Sequence, residues 1–373
     1  MIRSRNHTLD LIRALAALEV MVSHLQPLIF DFHANHSEPH YMGLPVRVFY
    51  YATCFGHQAV TVFFVLSGYF VGGSVIAAKP EGFWRRFLIQ RVSRLWIVLL
   101  PSLALTFVWN MLDFHYGGAA YLNGSANPIT GPAQPVHLDV LTFLGNAFFL
   151  QTIYVPHYGD NGALWSLAPE FWYYIIFPLL FFGVGFGRSV KLWRRVAMLL
   201  AGVGLIVISP RDVLVGFVIW LFGAEVAALE NRPLGAIFAG WKVGIPSVFA
   251  CGLLLHLSHY EPETAGVRLG IGFSLAVACP WIIRVVKLTP PVGKIAAWFS
   301  DFSYTLYLVH TSFMAFVWCA FFHSERLAPG GRAFVRFAFF GALVVAYSYG
   351  CSLLFERNTD KLRRFLTRRL SPG

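Results

Sequence analysis

The chain has 373 residues, 57% of them hydrophobic and only 13% charged, with 36 Phe and 11 Trp, a balance that excludes a soluble globular protein and predicts a polytopic membrane protein. Its net charge of +11 does not indicate nucleic acid, because the basic residues cluster in short segments between apolar runs, as the positive-inside rule gives for cytoplasmic loops. The five cysteines are scattered without a paired spacing, so they read as small hydrophobes and not as a disulfide framework or metal site.

The first apolar run, Leu9 to Phe30, is long enough to cross a bilayer yet contains Arg13, Glu19 and His24. Charged groups in hydrocarbon are costly, so they face protein or a wet cavity and mark working sites. These charges also leave no short uncharged core, so the run is expected to remain as the first span and not to be cleaved as a signal peptide. Arg13 and His24 are eleven residues apart, which at about 100° per residue puts them within roughly 20° of one another and about 16 Å apart along the axis. A guanidinium near one membrane surface and an imidazole deeper on the same stripe suit a ligand lying along the helix, its anionic end on Arg13 and its reactive end near His24. Histidine suits general-base work because it titrates near operating pH. In the bland alternative Arg13 snorkels to the interface and His24 is a hydrogen-bonded core histidine; two such groups in one span favour the functional reading.

The second span is expected near residues 57 to 78, where Gly68 and Gly72 are four apart and permit close approach of a neighbouring helix. Ser67 has no evident base in its own segment and so makes a poor nucleophile. At the start of the third span, near 93 to 112, Arg91 and Arg94 are three apart on one helix face, where two guanidinium forks suit a phosphate, although any cytoplasmic loop collects arginine. The Gly-, Asn- and Pro-rich stretch from Asp113 to His137 reads as an irregular external loop. The apolar segment from Leu138 to Tyr154 is short and reads as an interfacial or re-entrant element on the outer side. Trp165-Ser166-Leu167-Ala168-Pro169-Glu170 opens the fourth span, near 168 to 187, and Glu170 and Tyr174 share a face one turn apart. Proline and an acid are also ordinary at a helix start.

Further spans near 194 to 209, 211 to 229, 235 to 256, 266 to 286, 299 to 322 and 333 to 355 bring the expected total to ten. In the ninth, Ser303, Tyr307 and His310 lie along one stripe; His310 is either a second candidate base or a satisfied structural histidine. Asp212, Glu225, His256 and Asp301 lie near span ends and read as interfacial or structural, and Glu356-Arg357 as a surface ion pair. The basic groups at Arg3 and Arg5, at Arg85 to Arg94, at Arg188 to Arg195, at Arg284 to Lys294 and at Lys361 to Arg369 place both termini in the cytoplasm. The expected fold is therefore all-α: a transmembrane helical bundle forming one domain over 1–373, with a short basic cytoplasmic tail over 358–373.

The order and spacing of these features resemble the acyltransferase-3 family of integral membrane acyltransferases. The resemblance runs from Leu9 to about Arg357. It is carried by Leu9-Asp10-Leu11-Ile12-Arg13 with His24, by Phe63-Phe64-Val65-Leu66-Ser67-Gly68-Tyr69, by Arg91 and Arg94, by Trp165-Ser166-Leu167 with Glu170, Tyr174 and Pro178, and by Ser303-Tyr304 with Tyr307 and His310. It implies transfer of an acyl group, often acetyl, from cytoplasmic acyl-coenzyme A to a hydroxyl of a carbohydrate, glycolipid or other surface-bound or secreted acceptor, in a bacterial inner membrane and without a metal. The family's arginine and histidine map onto Arg13 and His24, and its arginine pair onto Arg91 and Arg94. The chain departs from the family at Ala59 and Thr61, where Gly and Asp are frequent, and at Ala168-Pro169, where small or β-branched residues are usual.

The expected mechanism has Arg91, Arg94 and Arg13 holding the phosphates of acyl-coenzyme A while His24 takes a proton from the attacking hydroxyl. Glu170, Trp165, Tyr174, Ser303, Tyr307 and His310 then orient the acceptor or the histidine. The rival class is a transporter or flippase for a glycan or lipid-linked sugar, because polar groups inside a bundle also line substrate paths. An inert membrane scaffold would account for the aromatic richness but not for a buried Arg13 and His24.

Overall fold

The computed structural model of the chain describes residues 5–31, 43–117, 135–185, 190–230, 232–260 and 264–370; Arg3, Arg188 and most of the expected external loop lie outside them. Among the described residues there is no β-strand, only two isolated bridges. Hydrocarbon offers no water to bond backbone N–H and C=O groups, and a helix satisfies them within one segment. In chain order the helices are α1 (His7–Ile29), α2 (Leu44–Ala52), α3 (Gly56–Ser67), a π turn (Gly68–Gly72), α4 (Gly73–Ile76), α5 (Phe83–Gly117) and α6 (Val140–Ala147). After a 3₁₀ turn (Gly162–Ser166) come α7 (Leu167–Val184), α8 (Leu192–Ile208), α9 (Arg211–Leu229), α10 (Pro233–Phe238), α11 (Trp241–Tyr260), α12 (Ala265–Val285) and α13 (Pro290–Phe322). The chain then runs through α14 (Gly331–Leu354), a 3₁₀ turn (Glu356–Asn358) and α15 (Thr359–Arg369).

Among the described residues, eight helical stretches are long and apolar enough to cross a membrane. Each of the ten expected spans overlaps a helix, but the seventh, 235 to 256, is broken at Ala239 and Gly240 between α10 and α11; α1, which carries Asp10, Arg13 and Glu19, and α8, with 17 residues, are outside the eight. The expected third and ninth spans lie inside longer helices, α5 with 35 residues and α13 with 33. The segment from Leu138 to Tyr154 holds only the eight-residue α6, about 12 Å long and too short to cross. Asp113 to Gly117, expected in a loop, instead continue α5.

The chain divides into two compact units. The first comprises Met1–Ala16, His57–Leu88 and Ser166–Ser300. Asn6 caps α1 by accepting from the amides of Thr8 and Leu9 at 3.0 and 3.3 Å, and Asp10 in the first turn pairs with Arg5 at 2.6 Å. Here α11 packs along α12, α8 along α7, and α9 against the π turn. The last approach is so close that a Cβ on Gly68 would collide with the Trp220 carbonyl, and one on Gly223 with the Val65 carbonyl. Helix α7 closes on Gly185 at φ 103°, left-handed backbone that glycine adopts without a steric penalty.

The second unit comprises Ala17–Gly56, Ile89–Trp165 and Asp301–Gly373. The end of α1 is fixed there by backbone bonds from Leu327 to Ile29 and from Asp31 to Leu327, 2.8 and 2.9 Å, with Phe30 packed on Phe49, Phe334 and Phe337. Tyr347 accepts from the Trp109 indole at 2.8 Å and stacks on Phe313 at 3.9 Å between centroids. Glu19, one of the polar groups of the first span, accepts from the Phe55 amide at 2.9 Å.

Candidate active site

The second unit brings together two histidines 286 positions apart in sequence. His24 comes from the last turns of α1 and is half-buried; His310 comes from α13 and is fully buried. His24 Nδ1 and His310 Nε2 are 2.9 Å apart, and the rings lie within 15° of parallel. The other nitrogen of His310, Nδ1, is 2.9 Å from both the Leu306 and the Tyr307 carbonyl oxygens. A carbonyl only accepts, so Nδ1 of His310 carries the hydrogen, and Nε2 of a neutral ring is then an acceptor. It follows that His24 donates from Nδ1 and keeps its lone pair on Nε2. The pair therefore fixes one tautomer of His24 and leaves one ring nitrogen as a base, and a proton taken up there strengthens the Nδ1–H bond to His310.

Helix α13 is held in place around His310 by a buried polar network that sequence reasoning missed. Asn161 donates to the Leu308 carbonyl at 2.8 Å and to Thr106 Oγ1 at 3.1 Å, and accepts from Thr311 Oγ1 at 2.8 Å. Its side chain thus grips α13 on both sides of His310. The neighbouring Asp160 accepts from Asn110 and from Ser312, both at 2.6 Å. The available signal was Gly159-Asp160-Asn161-Gly162, a turn-forming run between the apolar segment ending at Tyr154 and the opening of the fourth expected span at Trp165.

Of the other expected site residues in this unit, Ser303 and Tyr307 are buried on α13, and Trp165 is half-buried in the 3₁₀ turn before α7. Arg91 and Arg94 both lie on α5, the first half-buried and the second exposed. Glu356 accepts from the Thr305 hydroxyl at 2.5 Å, and Arg357 donates to the Tyr349 hydroxyl at 3.3 Å.

The first unit holds Arg13, Glu170 and Tyr174. The Arg13 guanidinium lies over the Phe70 ring at 5.3 Å. Tyr174 donates to Glu170 at 2.6 Å, Ser67 meets the Tyr174 hydroxyl at 3.1 Å, and the Trp220 indole donates to Ser67 at 3.1 Å. An indole N–H only donates and a carboxylate only accepts, so the hydrogens of this chain run from Trp220 through Ser67 and Tyr174 to Glu170. The Ser67 hydrogen is directed at the Tyr174 phenol. Among the described residues no group of three His, Cys, Asp or Glu side chains is placed to hold a metal ion.

Comparison with known proteins finds a match to a family model described as an acyltransferase domain, the acyltransferase-3 model, over residues 6–351. The chain is also similar to a protein named O-acetyl transferase from Shigella phage Sf6, 25% identical over 323 residues that cover 82% of this chain and 83% of the phage protein. No solved structure matches.

Proposed function

Since the chain belongs to the acyltransferase-3 family and is an integral membrane protein by its long apolar helices, we propose that it transfers an acetyl group from acyl-coenzyme A to a hydroxyl of a carbohydrate or glycolipid acceptor. The similarity to the phage O-acetyl transferase supports oxygen as the receiving atom and acetyl as the group moved. The observation that carries the reading is the 2.9 Å contact of His24 with a His310 whose other nitrogen is committed to carbonyls. That arrangement serves proton transfer, worth about 10²–10⁴-fold in rate.

In the proposed reaction His24 Nε2 takes the acceptor hydroxyl proton as the oxygen attacks the thioester carbonyl. The tetrahedral intermediate then collapses with cleavage of the C–S bond, and the departing sulfur recovers the proton from His24, giving the ester and the free thiol of coenzyme A. His310 holds His24 in the productive tautomer and accepts the Nδ1–H bond of the imidazolium, as the third member of a nucleophile, base and orienter set does. Arg91 and Arg94 are assigned to the coenzyme A phosphates, as is Arg13. The Glu170, Tyr174 and Ser67 chain is assigned to the acceptor, together with Trp165, Ser303 and Tyr307. The whole chain acts as one transmembrane domain with both termini and the basic tail in the cytoplasm of a bacterial inner membrane.

The test is to incubate purified protein with acetyl-labelled acetyl-coenzyme A and a panel of surface glycans. The proposal expects label in an acceptor and equimolar free thiol. Movement of a glycan across vesicles with no requirement for coenzyme A would instead support a transporter.

A further inference from the structure

The last span leads directly into a basic amphipathic helix. Helix α14 runs to Leu354, the 3₁₀ turn follows, and α15 begins at Thr359, so α15 starts within about one helical turn's length of the end of a span. Leu362, Phe365, Leu366 and the following Leu370 fall at i, i+3, i+4 and i+8, an apolar sector about 140° wide. Phe365 and Leu370 are 55% and 57% exposed, so this sector is only partly covered by the protein itself.

The helix is otherwise basic: Lys361, Arg363, Arg364 and Arg368 flank or oppose that sector and Arg369 falls within it, against the single acid Asp360. Asp360 is taken up by Arg363 at 2.8 Å, and the Arg369 guanidinium lies over the Phe365 ring at 5.7 Å. Lys361, Arg364 and Arg368 are exposed on the side opposite the apolar sector. An isolated helix of eleven residues gains little from propensity alone. Exposed apolar side chains with cations around them, anchored beside a span, match a bilayer surface that offers acyl boundary and anionic headgroups together.

We infer that α15 lies in the membrane interface and binds anionic phospholipid headgroups through Lys361, Arg363, Arg364, Arg368 and Arg369, with Phe365 and Leu370 inserted at the acyl boundary. This assignment is independent of the acyl-transfer reading. Basic side chains near an anionic leaflet each add attraction that salt weakens, so lipid charge and ionic strength are the two variables that report on it.

The experiment uses the full-length protein in nanodiscs of phosphatidylcholine alone or of phosphatidylcholine with phosphatidylglycerol, and follows hydrogen–deuterium exchange of the 359–369 amides. The expected result is exchange roughly fivefold slower in the anionic discs, about the factor that one surface-bound arginine contributes, with the difference lost at high salt. Replacing Arg363, Arg364, Arg368 and Arg369 together by Gln removes the difference between the two discs, and Phe365→Ser raises exchange in both. Equal exchange of the unaltered protein in the two discs overturns the proposal, as does a charge variant that keeps the full lipid effect. Protection in neutral discs on adding coenzyme A, equal to that given by phosphatidylglycerol, overturns it in favour of the nucleotide phosphates.

Discussion

His24 and His310 stand 2.9 Å apart with the far nitrogen of His310 bound to two backbone carbonyls, so the tautomer of the first is dictated by the backbone around the second. Replacing His310 should therefore impair turnover without emptying the binding site. His310→Ala is expected to lower kcat about 10²-fold or more while KM for the acyl donor stays near its original value. The split between kcat and KM in steady-state transfer assays checks this, and an unchanged kcat removes His310 from the mechanism.

Asn161 is a positioning residue for that pair. Asn161→Ala leaves the Leu308 carbonyl, Thr106 and Thr311 without their shared partner in a buried site, at a cost of about 1–3 kcal/mol for each polar group left unsatisfied. A fall in thermal midpoint together with a fall in kcat is expected. Asn161→Ala should add little further loss of turnover to His310→Ala, since it acts on His24 through His310.

The two clusters explain why much was legible in the sequence and some was not. The sixth expected span, 211 to 229, coincides with α9, and the eighth, 266 to 286, with α12 over Ala265–Val285, because apolar runs whose few charges lie near their ends, bounded by polar turns, define their own limits. Helices α5 and α13 exceed their expected spans because hydropathy marks only the apolar middle, whereas Arg85 and Arg86 at one end of α5 and Asp113 and His115 at the other continue the helix. Helix α2 was not expected, since nine residues containing Arg47 carry no span signal. His24 and His310 were each singled out, but no local pattern joins residues 286 apart; that pairing, and the Asn161 grip beside it, exist only in the packed structure.

Close packing in the first unit makes a stability prediction. Gly223→Val places a branched side chain where even a Cβ meets the Val65 carbonyl and the Tyr69 amide, both backbone and unable to yield cheaply. Destabilisation of about 1–3 kcal/mol or more is expected, read as a lower midpoint in thermal unfolding in detergent. Gly204→Ala, at a glycine with open space around it, serves as the control and should be neutral or slightly stabilising.

Arg91 and Arg94 are separable by their exposure. Each changed to Ala is expected to weaken coenzyme A binding by about tenfold, the weight of one charge-assisted contact to a phosphate, and to flatten its salt dependence. Titration calorimetry at two ionic strengths checks this; affinity unchanged in both variants moves the phosphates elsewhere.

Outside the spans, Glu325 accepts from Arg336 at 2.8 Å, and this hydrogen bond holds its carboxyl below the ordinary carboxylate range. A lowered folded pKa contributes stability that is present above the ordinary value and is lost as pH falls through the lowered one. The connection between α13 and α14 should therefore loosen in acid, with amide exchange over 323–330 rising as pH drops through that range. In Glu325→Gln this pH dependence should vanish.

The most direct measurement compares His24→Ala with the unaltered protein for both coenzyme A binding and transfer of labelled acetyl to an acceptor. The account predicts near-normal binding and no detectable transfer, with no thiol released. Transfer at the unaltered rate by the His24→Ala protein would contradict it.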